Sequence, residues 1–392
     1  MTTAAEKAPL IWVNVLMFAL TFLGCVTIVP WYGITHGYSL AAWLSFAFFL
    51  AFCGFSITGG YHRLWSHKCY EAHWIVRLVY MLGGTMALQN SILVWSAGHR
   101  VHHRYVDDND RDPYSAGRGF WFSHIGWMLR EYDSGKPDFS LVRDLEQDPI
   151  VAFQHRWYLP LALFMNIGVP LAVGWLAGDL WGVFLLGGLL RLVANHHFTF
   201  FINSLAHWWG TQPYTDENSA RDNPVLAFLT YGEGYHNFHH IFAHDYRNAV
   251  RWWQWDPTKW IIGTLAAMGL ATKLKRVPDV VIQRARLAMQ FKRLERRLDE
   301  RRVVAPRLDL ERLRAQCNEE YQSFLATVAE WSRLREQWVA RTREQIAQKR
   351  ESLAQRFEDV DFRRDFKRES RLIVARLRMQ QRRLQMLGAQ LA

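Results

Sequence analysis

Four stretches of this chain stay apolar long enough to cross a bilayer. Residues 9–30, 39–58, 158–177 and 180–203 each approach the roughly 20 mostly apolar positions that a transmembrane helix needs. The first two are joined by a short uncharged loop rich in aromatics, the last two by a turn at Ala177–Asp179. They predict two helical hairpins, with the charged stretches all on one side, the cytosolic one by the positive-inside rule. Residues 74–96 are nearly as apolar but contain Arg77, Gln89 and Asn90. A fifth span there would put the histidine strings at 62–67 and 99–103 on opposite faces of the membrane. The segment is therefore expected to be one amphipathic helix, cytosolic or interfacial.

Past residue 280 the pattern changes. Leu310, Leu313, Cys317, Tyr321, Phe324, Val328, Trp331, Leu334 and Trp338 recur mostly three and four apart, as in an amphipathic helix or a coiled-coil seam. The expectation is an all-α integral membrane protein. Its body, 1–280, has four spans and a cytosolic helical cap; a helical, coiled-coil-like extension follows at 281–392, broken by Pro306.

Composition sharpens this division. The 19 Trp and 24 Phe suit a surface that partly faces lipid, with rings at the interfaces. From residue 281 onward there are 27 Lys+Arg against 16 Asp+Glu, while the body is balanced at 20 against 20. The whole basic excess lies in the extension. That suits a helical hairpin packed on itself, a cationic face on anionic lipid, a dock for an acidic electron donor, or self-association. No basic-aromatic platform or nucleic-acid-binding motif accompanies it, so no nucleic-acid partner is expected. Cys25, Cys53, Cys69 and Cys317 form no CxxC pair or disulfide framework. The first apolar run is too long for the h-region of a secretory signal.

The chemistry lies in the histidines. HRLWSH (62–67), HRVHH (99–103) and HNFHH (236–240) hold eight, and His207 in NSLAH adds a ninth. Imidazoles packed this densely repel when protonated, whereas neutral ones are common metal ligands. His99, His102 and His103 stand at i, i+3 and i+4, one face of a helix, and His236, His239 and His240 repeat the spacing. His62 and His67 are five apart, about 140° around an α-helix, so at least one is expected beyond a helix end. Nine imidazoles exceed the needs of one ion, and two metals are the economical reading. Asn203 is four residues before His207 and available to bind directly or through water. Structural zinc favours tetrahedral sites, usually with cysteine. An all-nitrogen shell suits redox iron, and at a membrane face points to oxygen activation on a lipidic substrate. His36, His73, His124, His155, His196, His197 and His244 lack the triplet spacing and read as structural or surface residues. One carboxylate of the acidic loop Asp107–Asp112 is expected to orient a ligand imidazole.

These strings, with GEGYHNFHH framing the last and RGFWFSHIGWML at 118–129, resemble the membrane acyl-CoA desaturases of the stearoyl-CoA desaturase type, over about residues 9–275. The resemblance implies two irons held by His62, His67, His99, His102, His103, His207, His236, His239 and His240, with Asn203 reaching one iron through water. It also implies that a double bond is introduced near the ninth carbon of a saturated acyl chain. The reaction would use O₂ and electrons from a separate donor of ferredoxin, reductase or cytochrome b5 type. Gln89, Trp95 and Thr199 fall where the family keeps a Gln, Trp and Thr at the kink of its substrate tunnel. Ala97-Gly98 stand where animal members carry an Arg-Asp pair at their CoA surface, and Arg130-Glu131-Tyr132 where relatives are more basic. Acyl-CoA is the expected substrate, with an acyl chain on a membrane glycerolipid as the alternative. Hydroxylation on the same irons, and a non-catalytic metal-binding membrane protein, are the further readings.

Overall fold

The structure, a computed structural model, describes residues 8–304, 310–347 and 353–390; Pro306 lies outside them. Its contacts divide into two units. One comprises the chain to Gln212 with Glu217–Arg276, the other Pro213–Asp216 with the chain from Val277.

Among the described residues of the first unit four helices are long and apolar enough to span a membrane: Trp12–Thr35, Leu40–Ser66, Tyr158–Leu176 and Leu180–Trp208. With the family established below, this is a multi-pass, all-α membrane protein. Large apolar side chains on the outer faces stay exposed, among them Leu20, Phe48, Phe164 and Trp175. Such a surface suits hydrocarbon rather than water. The hairpin turns are built from capping residues. Ser39 caps the second span, accepting from the Ala42 amide at 3.1 Å, and Asp179 caps the fourth, accepting from Gly182 at 2.9 Å. The Ser39 hydroxyl also donates to Asp179 at 2.5 Å, joining the two caps.

The second span runs past the expected residue 58. Residues Ser56–Ser66 continue it as π-helical turns, every one of them buried. Residues 74–96, expected as one helix, form two: Trp74–Met86 and Ile92–Tyr105. The break has a local cause. Leu88 and Asn90 take positive φ (54° and 71°), and Ser91 caps the second helix by accepting from Val94 N. At 13 residues, Trp74–Met86 is about 20 Å long, too short for a hydrocarbon core of about 30 Å.

That short helix packs on the second span through Gly83 and Gly84. A Cβ on Gly83 would sit 2.1 Å from Ser56 Oγ, and one on Gly84 2.1 Å from the Tyr61 ring, so neither position has room for a side chain. Buried Gln154 stitches the same region, donating to Tyr61 Oη (2.5 Å) and Thr85 Oγ1 (2.8 Å) and accepting from Ile92 N (2.8 Å). Arg191, in the fourth span, faces inward. It donates to Met86 O at the C-terminus of the short helix (2.7 Å), to Asn166 Oδ1 (3.1 Å) and to Gly187 O (3.0 Å). A lipid-facing guanidinium would have no such partners.

Among its described residues the second unit contains three helices rather than a hairpin: Asp279–Val304, Leu310–Ala347 and Leu353–Gln390. Leu313, Cys317, Phe324 and Trp331 of the expected seam are buried there with Leu287, Phe291, Leu294, Ile373 and Leu377.

The glycine contact gives a test. Gly84→Val should destabilise the protein by about 1–3 kcal/mol through overpacking against Tyr61. Gly263→Ala, where an added Cβ meets nothing within 4 Å, should leave the thermal midpoint unchanged or slightly raised. Equal midpoints for the two variants in detergent would contradict the close helix approach.

Candidate metal centre

The π-helical turns correct the geometry expected for the first histidine string. A π-turn bonds i to i+5, and the His67 amide donates to His62 O at 3.1 Å. Five residues therefore bring the chain back to the same side instead of about 140° away. The two rings lie 4.9 Å apart, with His67 as the residue just past the helix end. Arg100 holds that end, donating to Trp65 O (2.8 Å) and Ser66 O (3.0 Å) while pairing with Asp144 (2.7 Å).

All nine string histidines converge, in two groups. His62, His67, His99, His103 and His239 form one; His102, His207, His236 and His240 form the other. Within each group the potential ligand atoms all lie within 4.8 Å of one another. The triplets do not each serve one group. On Ile92–Tyr105 the i, i+4 pair His99/His103 faces the first group and His102 the second. On the short helix His236–Ile241 the pair His236/His240 faces the second group and His239 the first. The groups are adjacent: the His103 and His240 rings stack at 4.4 Å.

In both groups the Nε2 atoms point at one another. His239 Nε2 lies 2.9 Å from that of His62 and 3.0 Å from that of His103, and His67 meets His99 at 2.8 Å. His240 Nε2 lies 3.3 Å from that of His102 and 3.0 Å from that of His236, which meets His207 at 3.1 Å. The opposite nitrogens fix the protons. His62 Nδ1 lies 3.0 Å from Glu233 Oε2 and His102 Nδ1 2.9 Å from Asp112 Oδ1. His207 Nδ1 lies 2.7 Å from Ser219 Oγ, whose own proton goes to Asp107 Oδ1 at 2.6 Å. A carboxylate only accepts, so His102, and His207 through Ser219, carry their proton on Nδ1 and turn bare Nε2 lone pairs into the groups, while Glu233 places a negative charge beside His62 Nδ1. Converging lone pairs repel unless a cation lies among them. The donor set fits a metal with nitrogen ligands, and the carboxylates behind it supply compensating charge.

Electrostatics keeps six of the rings neutral. Burial first, then the charge of neighbouring imidazoles, drives His67, His99, His103, His236, His239 and His240 well below the ordinary histidine value. Burial raises the Glu233 carboxyl, but His62 and Arg63 outweigh it and hold it down at about 2. Arg63, itself buried, bridges Glu233 (2.9 Å) and Asp256 (3.0 Å) and donates to Tyr246 O (2.9 Å). Asn248 Nδ2 donates to the second Glu233 oxygen at 2.6 Å.

The acidic loop after the second string supplies two orienting carboxylates, Asp112 directly and Asp107 through Ser219. Glu233 was legible in principle, since it stands in GEGYHNFHH three residues before His236. Asn203 is half-buried and ends the α-helical part of the fourth span. A turn at Ser204 separates it from the short helix carrying His207, so the two do not share one regular α-helix. The remaining histidines bond elsewhere: His196 to Leu88 O (3.2 Å), His124 to His197 (3.1 Å), His155 to Ser91 (2.7 Å) and His244 to His67 O (2.9 Å).

Gln89, Trp95 and the sequence-distant Thr199 form one hydrogen-bonded chain. Trp95 Nε1 donates to Gln89 Oε1 (3.4 Å), Gln89 Nε2 to Thr199 Oγ1 (2.8 Å), and Thr199 to Asn195 O (3.1 Å). The Trp95 ring stacks on His99 at 4.8 Å, so the chain ends directly against the first group.

A family model described as fatty acid desaturase matches residues 38–273. The chain belongs to the fatty acid desaturase family. It is 46% identical over 249 residues to a probable acyl-CoA desaturase of Schizosaccharomyces pombe, covering 63% of this chain and 52% of that one. It is 41% identical over 291 residues to acyl-CoA desaturase 1 of Saccharomyces cerevisiae, covering 73% and 56%. With stearoyl-CoA desaturase 5 of Homo sapiens the identity is 36% over 283 residues, covering 71% and 84%. The chain thus spans about half the length of the two yeast relatives and most of the human one.

Asp112→Asn should lower metal affinity about 10–100-fold by freeing the His102 ring, with little change in thermal midpoint. Metal analysis after dialysis against graded chelator reads the affinity. Retention equal to the unsubstituted protein would remove Asp112 from the support of the site.

Proposed function

We propose that this protein is an O₂-dependent fatty acyl desaturase whose two histidine groups each hold one iron. The observation that carries the reading is the convergence of nine imidazole Nε2 atoms in two adjacent groups. The all-nitrogen donor set supports iron over a closed structural zinc site. His62, His67, His99, His103 and His239 would hold one ion, and His102, His207, His236 and His240 the other, with Asn203 reaching an iron through water. When bound, the irons supply the redox chemistry that removes two hydrogens from neighbouring methylenes. One O₂, two electrons and two protons are consumed, leaving a cis double bond and two waters.

The protein's own residues do the rest. Asp112 and the Ser219–Asp107 relay keep protons on Nδ1 of His102 and His207 and so keep their ligand atoms free. Gln89, Trp95 and Thr199 would line the bend of an acyl tunnel beside His99. An apolar tube does not distinguish one methylene from the next, so position along the chain follows from the distance between head-group anchor and bend. The names of the relatives support acyl-CoA as the substrate, and insertion near the ninth carbon is what the resemblance of Gln89, Trp95 and Thr199 to the family's tunnel kink implies. The catalytic body is 1–280, with 281–392 as an extension. The site would face the cytosol, where a separate donor delivers electrons.

Expression in a host lacking its own desaturase, with a brief labelled-palmitate pulse, tests the reading by gas chromatography. Ninth-carbon monoenes should appear first in the CoA pool. First appearance in phospholipid would move the substrate to glycerolipid, and a product carrying an added oxygen would overturn desaturation. His102→Ala and His239→Ala should each abolish product and lower bound iron. Activity retained by either would refute the ligand assignment.

A further inference from the structure

The last helix of the C-terminal unit presents a face that its own core does not use. Leu353–Gln390 buries Ile373, Leu377, Gln380 and Leu384 within the unit. A second apolar row, Leu372, Met379 and Met386, points outward with 52%, 50% and 60% exposure. Spaced by seven, these three fall within about 40° of one another around the helix. Arg371 and Arg378 each immediately precede a member of the row, and with Arg382 they form an exposed basic row about 60–120° to one side. At the N-terminal end of this face Arg363, Arg364, Lys367, Arg368 and Arg371 line a surface hollow, Arg368 pairing with Asp365 and Glu369 (both 3.5 Å). The other flank is balanced, because Arg376 pairs with Glu330 (2.6 Å) and Arg383 with Glu320 (2.8 Å) of the neighbouring helix. From residue 362 onward there are nine Lys+Arg and two Asp+Glu. The cationic excess therefore borders the exposed apolar row.

A second copy is a poor occupant, since pairing this face with itself would oppose arginine to arginine with no acidic row between. The row also lacks the aromatic anchors on which protein interfaces concentrate their energy. A bilayer satisfies both halves of the pattern and is always at hand, because the same chain is held in one by its spans. We propose that this face lies on an anionic phospholipid surface. Leu372, Met379 and Met386 would sit at the headgroup–acyl boundary, with the flanking arginines on lipid phosphates.

The test uses the full-length protein carrying Met379→Cys and an environment-sensitive fluorophore. The unsubstituted protein is the labelling blank; its Cys53, Cys69 and Cys317 are buried and Cys25 half-buried. In phosphatidylcholine vesicles containing phosphatidylglycerol the label's emission should shift to the blue, and 1 M salt should reverse the shift. In phosphatidylcholine alone the shift should be absent. Replacing Arg371, Arg378 and Arg382 with Gln should lower the bound-to-free ratio by about fivefold per arginine. Identical emission in the two kinds of vesicle would overturn the proposal. So would a blue shift in detergent that grows with protein concentration, which would assign the face to a second copy. The salt arm needs no arginine variant, so a failure of those variants to fold leaves the proposal testable.

Discussion

Much of the body is organised around keeping imidazoles neutral with their lone pairs turned the same way. A histidine offers a bare nitrogen inward only if its other nitrogen keeps a proton, and here acceptors behind the rings secure that. Asp112 does so for His102 and Asp107 through Ser219 for His207, while the Glu233 carboxylate lies 3.0 Å from His62 Nδ1. Buried carboxylates are costly alone, so each needs partners of its own. Glu233 has Arg63 and Asn248; Asp112 accepts from the backbone amides of Asp107 (3.1 Å) and Tyr114 (3.2 Å). Arg63 in turn recruits Asp256, which accepts from the amides of Asn248 (2.8 Å) and Lys259 (3.0 Å). The order of the cap thus extends outward from the nitrogens by successive satisfaction of charge.

Backbone geometry supplies what hydrogen bonding cannot. The second span enters the cap as π-turns, and these return His67 to the side of His62. An α-helical continuation would have separated them by about 140°. π-turns bond less favourably than α-turns. Here they are enclosed: residues 56–66 are all buried, Tyr70 Oη donates to Gly59 O (2.8 Å), and Arg100 takes the last carbonyls. Packing and side-chain donors compensate for the irregular backbone.

The sequence made legible what depends on period and composition: four spans, two hairpins, the basic extension, and the nine histidines that the structure gathers. Local departures from ideal geometry were not legible. Nothing in SITGGYHRLWS announces a π-helix; in the structure its Ser56 and Tyr61 pack closely against Gly83 and Gly84. The break at Leu88–Asn90 interrupts a run apolar enough to read as continuous. Its residues carry turn chemistry only in retrospect, once Asn90 is seen in the left-handed region and Ser91 as a cap. The carboxylate behind His62 stood inside a quoted motif, but which acid meets which ring depends on the folded chain.

The crossing of the two triplets follows from helix geometry. Positions i and i+4 lie about 40° apart around a helix, and i+3 falls about 60° to the other side of i. A metal-sized space meets i and i+4 together, while i+3 is turned toward a neighbouring space. Two helices facing each other with this pattern in opposite sense complete both spaces at once. Ile92–Tyr105 gives two rings to the first group and one to the second, and His236–Ile241 gives the reverse. Each helix is then a rigid bridge between the groups, and their separation is set by about one turn of helix rather than by loop conformation. His62 and His67 complete the first group from the second span, and His207 the second group from the fourth. That places one group beside each hairpin's inner helix and accounts for the dependence of the site on both hairpins.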